Sequence, residues 1–268
     1  DLREFSAPLA DPQMPAVILD LKGLITRSYH SGTDTHPVRD EETGERVNSA
    51  SHGAANFLER VLLPILQDHA PINIIAVADG GNDLRRAVFP TYKQKRKERK
   101  EDEGKTQKAQ IDLCLEQVTR LLVYLGCTAV KVEHREADDV IAALVRGLGN
   151  RPKKIYTVDH DLIQLVNEDT NTWVIAFDEP KFTFIDKFES KGAKTYNEVE
   201  PGLVALYKSL VGDSSDEYGG VKGFGPVKWG ELEDLLGTDG LYELDKMVAT
   251  GDFTELQATV KAYPDLKI

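Results

Sequence analysis

Three short apolar stretches each run straight into an aspartate: Ala16–Leu19 into Asp20, Ile72–Ala78 into Asp79, and Ile155–Val158 into Asp159. Such runs are apolar at consecutive positions, which fits strands covered on both faces and so a parallel sheet. Thr128–Val132 reads as a fourth strand. Between the strands lie helical patterns at Ala50–Gln67, Gln107–Leu125 and Ala137–Leu148. The second of these carries an apolar stripe of Leu113, Val118, Leu121, Leu122 and Leu125. This alternation predicts an α/β fold with a mostly parallel central sheet flanked by helices. Trp173–Phe177 and Lys181–Ile185 predict a hairpin appended to it. Gly32–Asn48 reads as a polar, mobile loop, and beyond Glu200 the pattern turns helical, with a glycine-rich turn at Gly219–Gly225. The expected organisation is an N-terminal arm (1–15), an α/β domain (16–190) and a helical subdomain (191–268).

The carboxyl ends of parallel strands share one edge, where ligand sites form. A single aspartate there is ordinarily a turn former or a helix cap; three would bring three negative charges together. Further acids join them. Glu136-Ala137-Asp138-Asp139 opens a helix whose apolar face is Ala137, Ile141 and Leu144, although acids in a first turn are favoured by the helix dipole alone. Asp161 follows Asp159, and Asp213 and Asp216 end another helical stretch. Carboxylates crowded together raise one another's pKa unless cations compensate them. Oxygen donors without His or Cys suit Mg²⁺ or Mn²⁺.

The formal net charge of −12 argues against a polyanionic partner until its distribution is considered. Lys93, Lys95, Arg96, Lys97, Arg99 and Lys100 fall within eight residues, a run whose plainer reading is a solvated helix face. Cys114 and Cys127 have no metal-ligand spacing, and Cys114 sits in an apolar pattern as a buried thiol, which fits a reduced, cytoplasmic setting. No stretch reaches the roughly 18 apolar residues of a membrane span, and the polar start of the chain does not read as a signal peptide. His160 alternates away from its acidic neighbours, and Trp173 and Trp229 read as packing residues.

In chain order these residues form Asp20…Arg27, Asp79…Arg85…Tyr92-Lys93…Arg96, Glu136-Ala-Asp-Asp139, Thr157-Val-Asp-His-Asp161 and Gly212-Asp-Ser-Ser-Asp216…Gly-Val-Lys-Gly-Phe-Gly225. The series resembles the 5′-nuclease (flap endonuclease) superfamily, in particular bacteriophage 5′–3′ exonucleases and the nuclease domain of bacterial DNA polymerase I. The resemblance runs from about Ile18 to Leu236. It implies a PIN-like α/β nuclease domain with a basic arch near residues 85–110 and a C-terminal helix–three-turn–helix DNA-binding subdomain.

The resemblance implies two Mg²⁺ or Mn²⁺ ions, the first near Asp20, Asp79, Glu136, Asp138 and Asp139, the second near Asp159, Asp161, Asp213 and Asp216. It places Arg27, Lys93 and Arg96 near the scissile phosphate; a salt bridge under the sheet is the alternative for Arg27. Tyr92 would offer a stacking face, and Arg85, Lys95, Lys97, Arg99 and Lys100 would meet DNA along the arch. Lys222, Gly223, Gly225 and Lys228 would meet duplex phosphates, with a K⁺ ion at the turn. Gly23 comes later than the family's glycine, and Val227 stands where the family places a lysine. The implied substrates are DNA with a free 5′ end, a 5′ flap or a nick, and RNA primers annealed to DNA. The length leaves no room for a polymerase, so a standalone nuclease is expected. A Mg²⁺-dependent phosphatase using Asp159 and Asp161 is one alternative, although the spacing of the dehalogenase-type phosphatases is not met. A non-catalytic DNA-binding relative is the other, and it would be expected to have lost ligand acids.

Overall fold

The computed structural model describes residues 14–40, 42–69, 73–94, 104–168, 172–178, 181–185, 188–191, 196–214 and 217–251. The chain divides into two compact units, Asp1–Asp186 with Ser215–Glu217, and Lys187–Ser214 with Tyr218–Ile268.

In the first unit, β1 (Ala16–Asp20) passes directly into α1 (Leu21–His30). Two short strands, β2 (Val38–Arg39) and β3 (Arg46–Val47), follow. They pair as an antiparallel ribbon where the sequence reads as an irregular loop. The ribbon's turn is held by Asp40, whose Oδ1 accepts from the backbone of Glu42 and Thr43. Next come α2 (Ala50–Phe57), a π-helical turn (Leu58–Leu62) and α3 (Leu63–His69), together spanning the first predicted helix. Then follow β4 (Asn73–Ala78), α4 (Asp83–Val88), α5 (Lys105–Tyr124), β5 (Thr128–Lys131) and α6 (Ala137–Gly147). The unit continues with β6 (Lys153–Thr157), a 3₁₀ turn (His160–Leu165), β7 (Thr172–Asp178) and β8 (Lys181–Ile185).

The six strands form one sheet in the order β5-β4-β1-β6-β7-β8. All neighbours are parallel except β7 and β8, which form the predicted hairpin. β7 itself pairs with β6, so the hairpin extends the sheet. Alternation along each strand sends side chains to opposite faces. Val17, Leu19, Ile74 and Ala76 join a core with Leu24, Phe57 and Val118, and Ile18, Ile75 and Val77 join another with Val140 and Ile141. Both faces are therefore covered, as the unbroken apolar runs require.

The buried face of α5 is Cys114, Val118, Thr119 and Leu122, while Leu113 and Leu125 are exposed. Val118 and Leu122 of the predicted stripe are buried, but the face is displaced toward Cys114 and Thr119 and away from Leu113 and Leu125. Close helix packing explains the displacement: a Cβ on Gly53 of α2 would lie 2.9 Å from Cys114 Sγ and 3.2 Å from Tyr29 Cα. On α6 the buried residues are Ala137, Val140, Ile141 and Val145, with Leu144 only partly buried.

The second unit begins with an antiparallel hairpin absent from the sequence reading, β9 (Phe188–Lys191) and β10 (Tyr196–Val199). Beyond a 3₁₀ turn lie α7 (Val204–Val211) and α8 (Pro226–Thr250), the latter broken at Gly237. Trp229 is fully buried, edge-on to Tyr207 at 5.0 Å between ring centroids. Between the helices, Asp213 and Tyr218 exchange backbone hydrogen bonds of 2.8 Å. At Gly220 φ is +61°, and a Cβ there would lie 2.5 Å from the Gly212 nitrogen, so only glycine fits. Among the described residues, no helix is long and apolar enough to cross a membrane.

Candidate active site

β1 lies between β4 and β6, so the winding direction of the sheet reverses about it. Crevices at the carboxyl ends of strands open at such a switch point. Asp20 is the last residue of β1, Asp79 follows β4, and Asp159 lies just past β6, so the three predicted aspartates emerge at this one edge. Glu136, Asp138 and Asp139 arrive with the start of α6. Gly80 sets that approach: its N–H donates to the Arg135 carbonyl at 2.9 Å, and its carbonyl accepts from the His134 N–H at 2.9 Å. A Cβ on Gly80 would stand 1.8 Å from the Val132 carbonyl oxygen, so a side chain would force the two loops apart.

Each carboxylate has distinct neighbours. Asp20 is buried and accepts from Thr157 Oγ1 at 2.8 Å. Burial, followed by repulsion from Asp138, Asp159 and Asp79, pushes its pKa up to about 7 against the lowering effect of the Thr157 bond. Gly23 packs beneath it, where a Cβ would meet Val158 Cγ2 at 2.6 Å and Asp20 Oδ2 at 3.2 Å. Asp79 accepts from the Ala137 N–H at 2.9 Å through one oxygen, anchoring the start of α6, and from Lys22 Nζ at 2.9 Å through the other. Burial raises its pKa, but Lys22, the Ala137 N–H and Lys93 together outweigh it and hold the group below the usual range. Asp138 is pushed up to about 6 by burial and by Asp159, against the pull of Arg85 and Lys93. Asp159 caps the following 3₁₀ turn by accepting from the Asp161 N–H at 2.9 Å.

Cations thread between these acids. Arg85 Nη1 lies 2.6 Å from Glu136 Oε2, and its Nη2 lies 3.0 Å from Asp139 Oδ1 and 3.9 Å from Asp138 Oδ2. Lys93 Nζ lies 3.0 Å from Glu136 Oε1 and 4.8 Å from the centre of the Tyr92 ring. The Tyr92 hydroxyl donates to Glu136 Oε2 at 2.7 Å and accepts from Arg85 Nη1 at 2.7 Å. Burial pushes its pKa up to about 12, so it remains a donor. Lys93 holds φ at +53°, a left-handed conformation unfavourable for a side-chain residue and typical of strain kept at functional positions.

Tyr92 is only 7% exposed, which leaves its ring little open face for a base. Arg27 is exposed in the last turn of α1, seven residues and so about 10 Å along the helix from Asp20. Among the described residues no ion pair to Arg27 occurs under the sheet. Asp161 is partly buried beside Asp159. Asp213 belongs to the second unit and pairs with Lys208 Nζ at 2.6 Å. In that unit Lys222 and Lys228 are exposed, Lys228 pairing with Glu231 at 2.5 Å. Gly223, at φ +83°, faces open space, as does Gly225. Lys95, Arg96, Lys97, Arg99, Lys100 and Asp216 lie outside the described residues. Lys22 and Thr157, the partners of Asp79 and Asp20, have roles that the sequence alone did not assign, although Thr157 stands in the Thr157–Asp161 motif. Their only signal was proximity in the chain to a strand-end aspartate.

Among the described residues, no three acids, histidines or cysteines are drawn around one point; Asp79, Glu136 and Asp139 are held in ion pairs. The chemistry of the donor set nevertheless fits hard divalent cations: oxygen donors only, gathered at one edge, with Asp20 desolvated and repelled by three other acids. Held by burial and repulsion, the ionised Asp20 costs stability when no cation is supplied, a cost that Asp20→Asn removes while keeping an oxygen for Thr157. Since the folded pKa of Asp20 (about 7) exceeds its ordinary value of 3.8, the penalty grows as pH rises between those values and is complete above 7. In chelator at pH 8, Asp20→Asn is expected to raise the thermal midpoint by at least about 2 °C. The gain should disappear near pH 4; equal gains at both pH values would contradict this assignment.

Residues 15–195 match the family described as "5'-3' exonuclease, N-terminal resolvase-like domain". The chain is 32% identical over 229 residues to DNA polymerase I of Treponema pallidum, covering 84% of this chain and 21% of that protein. It is 31% identical over 164 residues to a 5'-3' exonuclease of Mycoplasma genitalium, covering 59% and 52% of the two chains. With a 5'-3' exonuclease of Aquifex aeolicus the figures are 29% over 221 residues, 78% and 71%. The chain thus spans about a fifth of that polymerase and about half of the Mycoplasma exonuclease. T5 5'-exonuclease with bound divalent metal ions (zinc) superposes with a TM-score of 0.63 at 18% identity, covering 83% of this chain and 76% of that one. A bacteriophage T5 flap endonuclease in a pseudo-enzyme-product complex with DNA and metal ions gives 0.56 at 18%, covering 83% and 75%. These two likenesses establish the fold.

Proposed function

Because the chain belongs to the 5'-3' exonuclease family through its resolvase-like domain, we propose that it is a metal-dependent nuclease hydrolysing phosphodiesters near the 5′ ends of DNA. It acts as a 5′–3′ exonuclease and 5′-flap endonuclease, leaving 5′-phosphate and 3′-hydroxyl ends, and accepts RNA primers annealed to DNA. The observation that carries this reading is the convergence of Asp20, Asp79 and Asp159 with the acids of α6 at the switch point of the sheet.

Asp20, Asp79, Glu136, Asp138 and Asp139 would hold one divalent cation, Mg²⁺ or Mn²⁺, and Asp159 and Asp161 would contribute to a second. Such a pair supplies an activated water on one side of a phosphodiester and charge neutralisation on the other. The chain's own cations do the rest. Lys93, held by a strained backbone beside Glu136, presents an ammonium to the negative charge that builds on the phosphoryl oxygens. Arg85 and Tyr92 fix Glu136 and so position the acids of α6. Lys22 holds Asp79.

The requirement for a 5′ end is tested with matched substrates. Linear single strands, nicked duplexes and 5′-flap duplexes are expected to be cut in Mg²⁺, whereas a closed single-stranded circle of the same sequence survives. Cutting of the circle at the rate of the linear strand would overturn the 5′-end reading.

A further inference from the structure

α1 carries a charge where helix electrostatics disfavours one. Lys22 stands in its first turn, two residues after Asp20, whereas the partial positive charge of a helix N-terminus favours acids there. No acid sits in that turn to offset it. The compensation comes from another element: Lys22 Nζ lies 2.9 Å from Oδ2 of Asp79, just past β4. The pair is arranged so that it can be broken. The other oxygen of Asp79 accepts from the Ala137 N–H at 2.9 Å, so the carboxylate stays anchored to α6 whatever Lys22 does. The Lys22 side chain is 47% exposed, and its flexible stem lets the ammonium swing into water without disturbing the core. Lys93, by contrast, is 14% exposed and set against the Tyr92 ring.

We propose that Lys22 is an internal counter-ion: its ammonium competes with a divalent cation for Asp79 and so sets the cation concentration at which that site fills. The proposal rests on the reading that Asp79 helps to hold such a cation. An ammonium and a dication on one carboxylate repel each other, so entry of one favours departure of the other. Against burial, which raises it, Lys22 is the strongest of the groups holding the Asp79 carboxyl below its usual range. The ion pair keeps Asp79 ionised and in place when cations are scarce, while weakening the hold of the site on them. An opposite charge in contact alters a carboxylate's affinity for a competing cation such as the proton by about 10–10³-fold, and partial exposure puts this pair at the lower end.

The test titrates Mn²⁺ into the full chain without DNA and follows the free ion by electron paramagnetic resonance. Lys22→Met is expected to tighten the strongest Mn²⁺ site about 10-fold. Lys22→Arg, which keeps the charge, should stay near wild type. Folding of Lys22→Met, read by circular dichroism in chelator, should hold, since Asp79 retains the Ala137 N–H and α1 loses an unfavourable first-turn charge. Lys105→Met removes an equal charge from an exposed pair with Glu42 and should leave Mn²⁺ affinity alone. In an Asp79→Asn background Lys22→Met should gain little, because the contested carboxylate is gone. No gain in Lys22→Met, an equal gain in Lys105→Met, or equal gains with and without Asp79 would each overturn the counter-ion role. If Asp79→Asn alone binds Mn²⁺ as tightly as wild type, the metal reading of Asp79 fails and the proposal falls with it. If Asp79→Asn weakens binding but Lys22→Met does not strengthen it, the metal reading stands and only the counter-ion role fails.

Discussion

Asp139→Ala and Asp159→Ala are each expected to remove cleavage to beyond the roughly 10–100-fold that losing a mere outer partner of a metal ligand costs. Folding should survive both. Asp139 is partly exposed, and its partner Arg85 keeps Glu136, so no charge is left buried and alone. Asp159 gives up its cap on the 3₁₀ turn, worth about 1 kcal/mol, but its removal also relieves the repulsion that raises Asp138 and Asp20. Circular dichroism and the thermal midpoint in chelator should therefore stay near wild type while turnover vanishes. A variant that folds and cuts at wild-type speed would remove its residue from the site.

Lys93→Ala is expected to lower the single-turnover rate at saturating enzyme by about 10²–10³, the usual cost of losing one preorganised contact to developing charge. Its effect on substrate affinity should be small. Glu136 retains Arg85 and the Tyr92 hydroxyl after the change, so the acid is not orphaned and a lost rate reports on the ammonium itself. Paired neutralisation of Lys97 and Arg99 is the comparison. Those residues should contribute to binding, so affinity falls modestly and its salt dependence flattens. If Lys93→Ala changes only affinity, with the saturated rate intact, Lys93 belongs to a charged face.

The parts of the fold legible in the sequence are those governed by local pattern. Consecutive apolar residues in β1 and β4 can be satisfied only by cover on both faces, and an aspartate after each strand needs no tertiary knowledge to be seen. Distances between such elements are another matter. Thr157 and Asp20 are far apart in the chain, and their 2.8 Å bond exists because β6 pairs with β1 in one particular register. Arg85 reads in the chain as one more base near a basic run, yet the fold brings it back onto Glu136 and Asp139. The α5 stripe departs from its pattern because Gly53 admits Cys114 closely, and a helix rotated to use that gap turns Leu113 and Leu125 outward. Tyr92 reads in the chain as an open ring, whereas its hydroxyl is pinned between Arg85 and Glu136. The β9–β10 hairpin has no strong apolar alternation, which is why pattern alone passes over it.

The proposed nuclease works through divalent cations held at the carboxylate edge. The most direct measurement of this is the initial rate on one 5′-flap duplex in Mg²⁺, in Mn²⁺, in Ca²⁺ and in excess chelator. Cleavage is expected with the first two, binding with little cleavage in Ca²⁺, none in chelator, and recovery on adding Mg²⁺ back. Undiminished cleavage in excess chelator would contradict it.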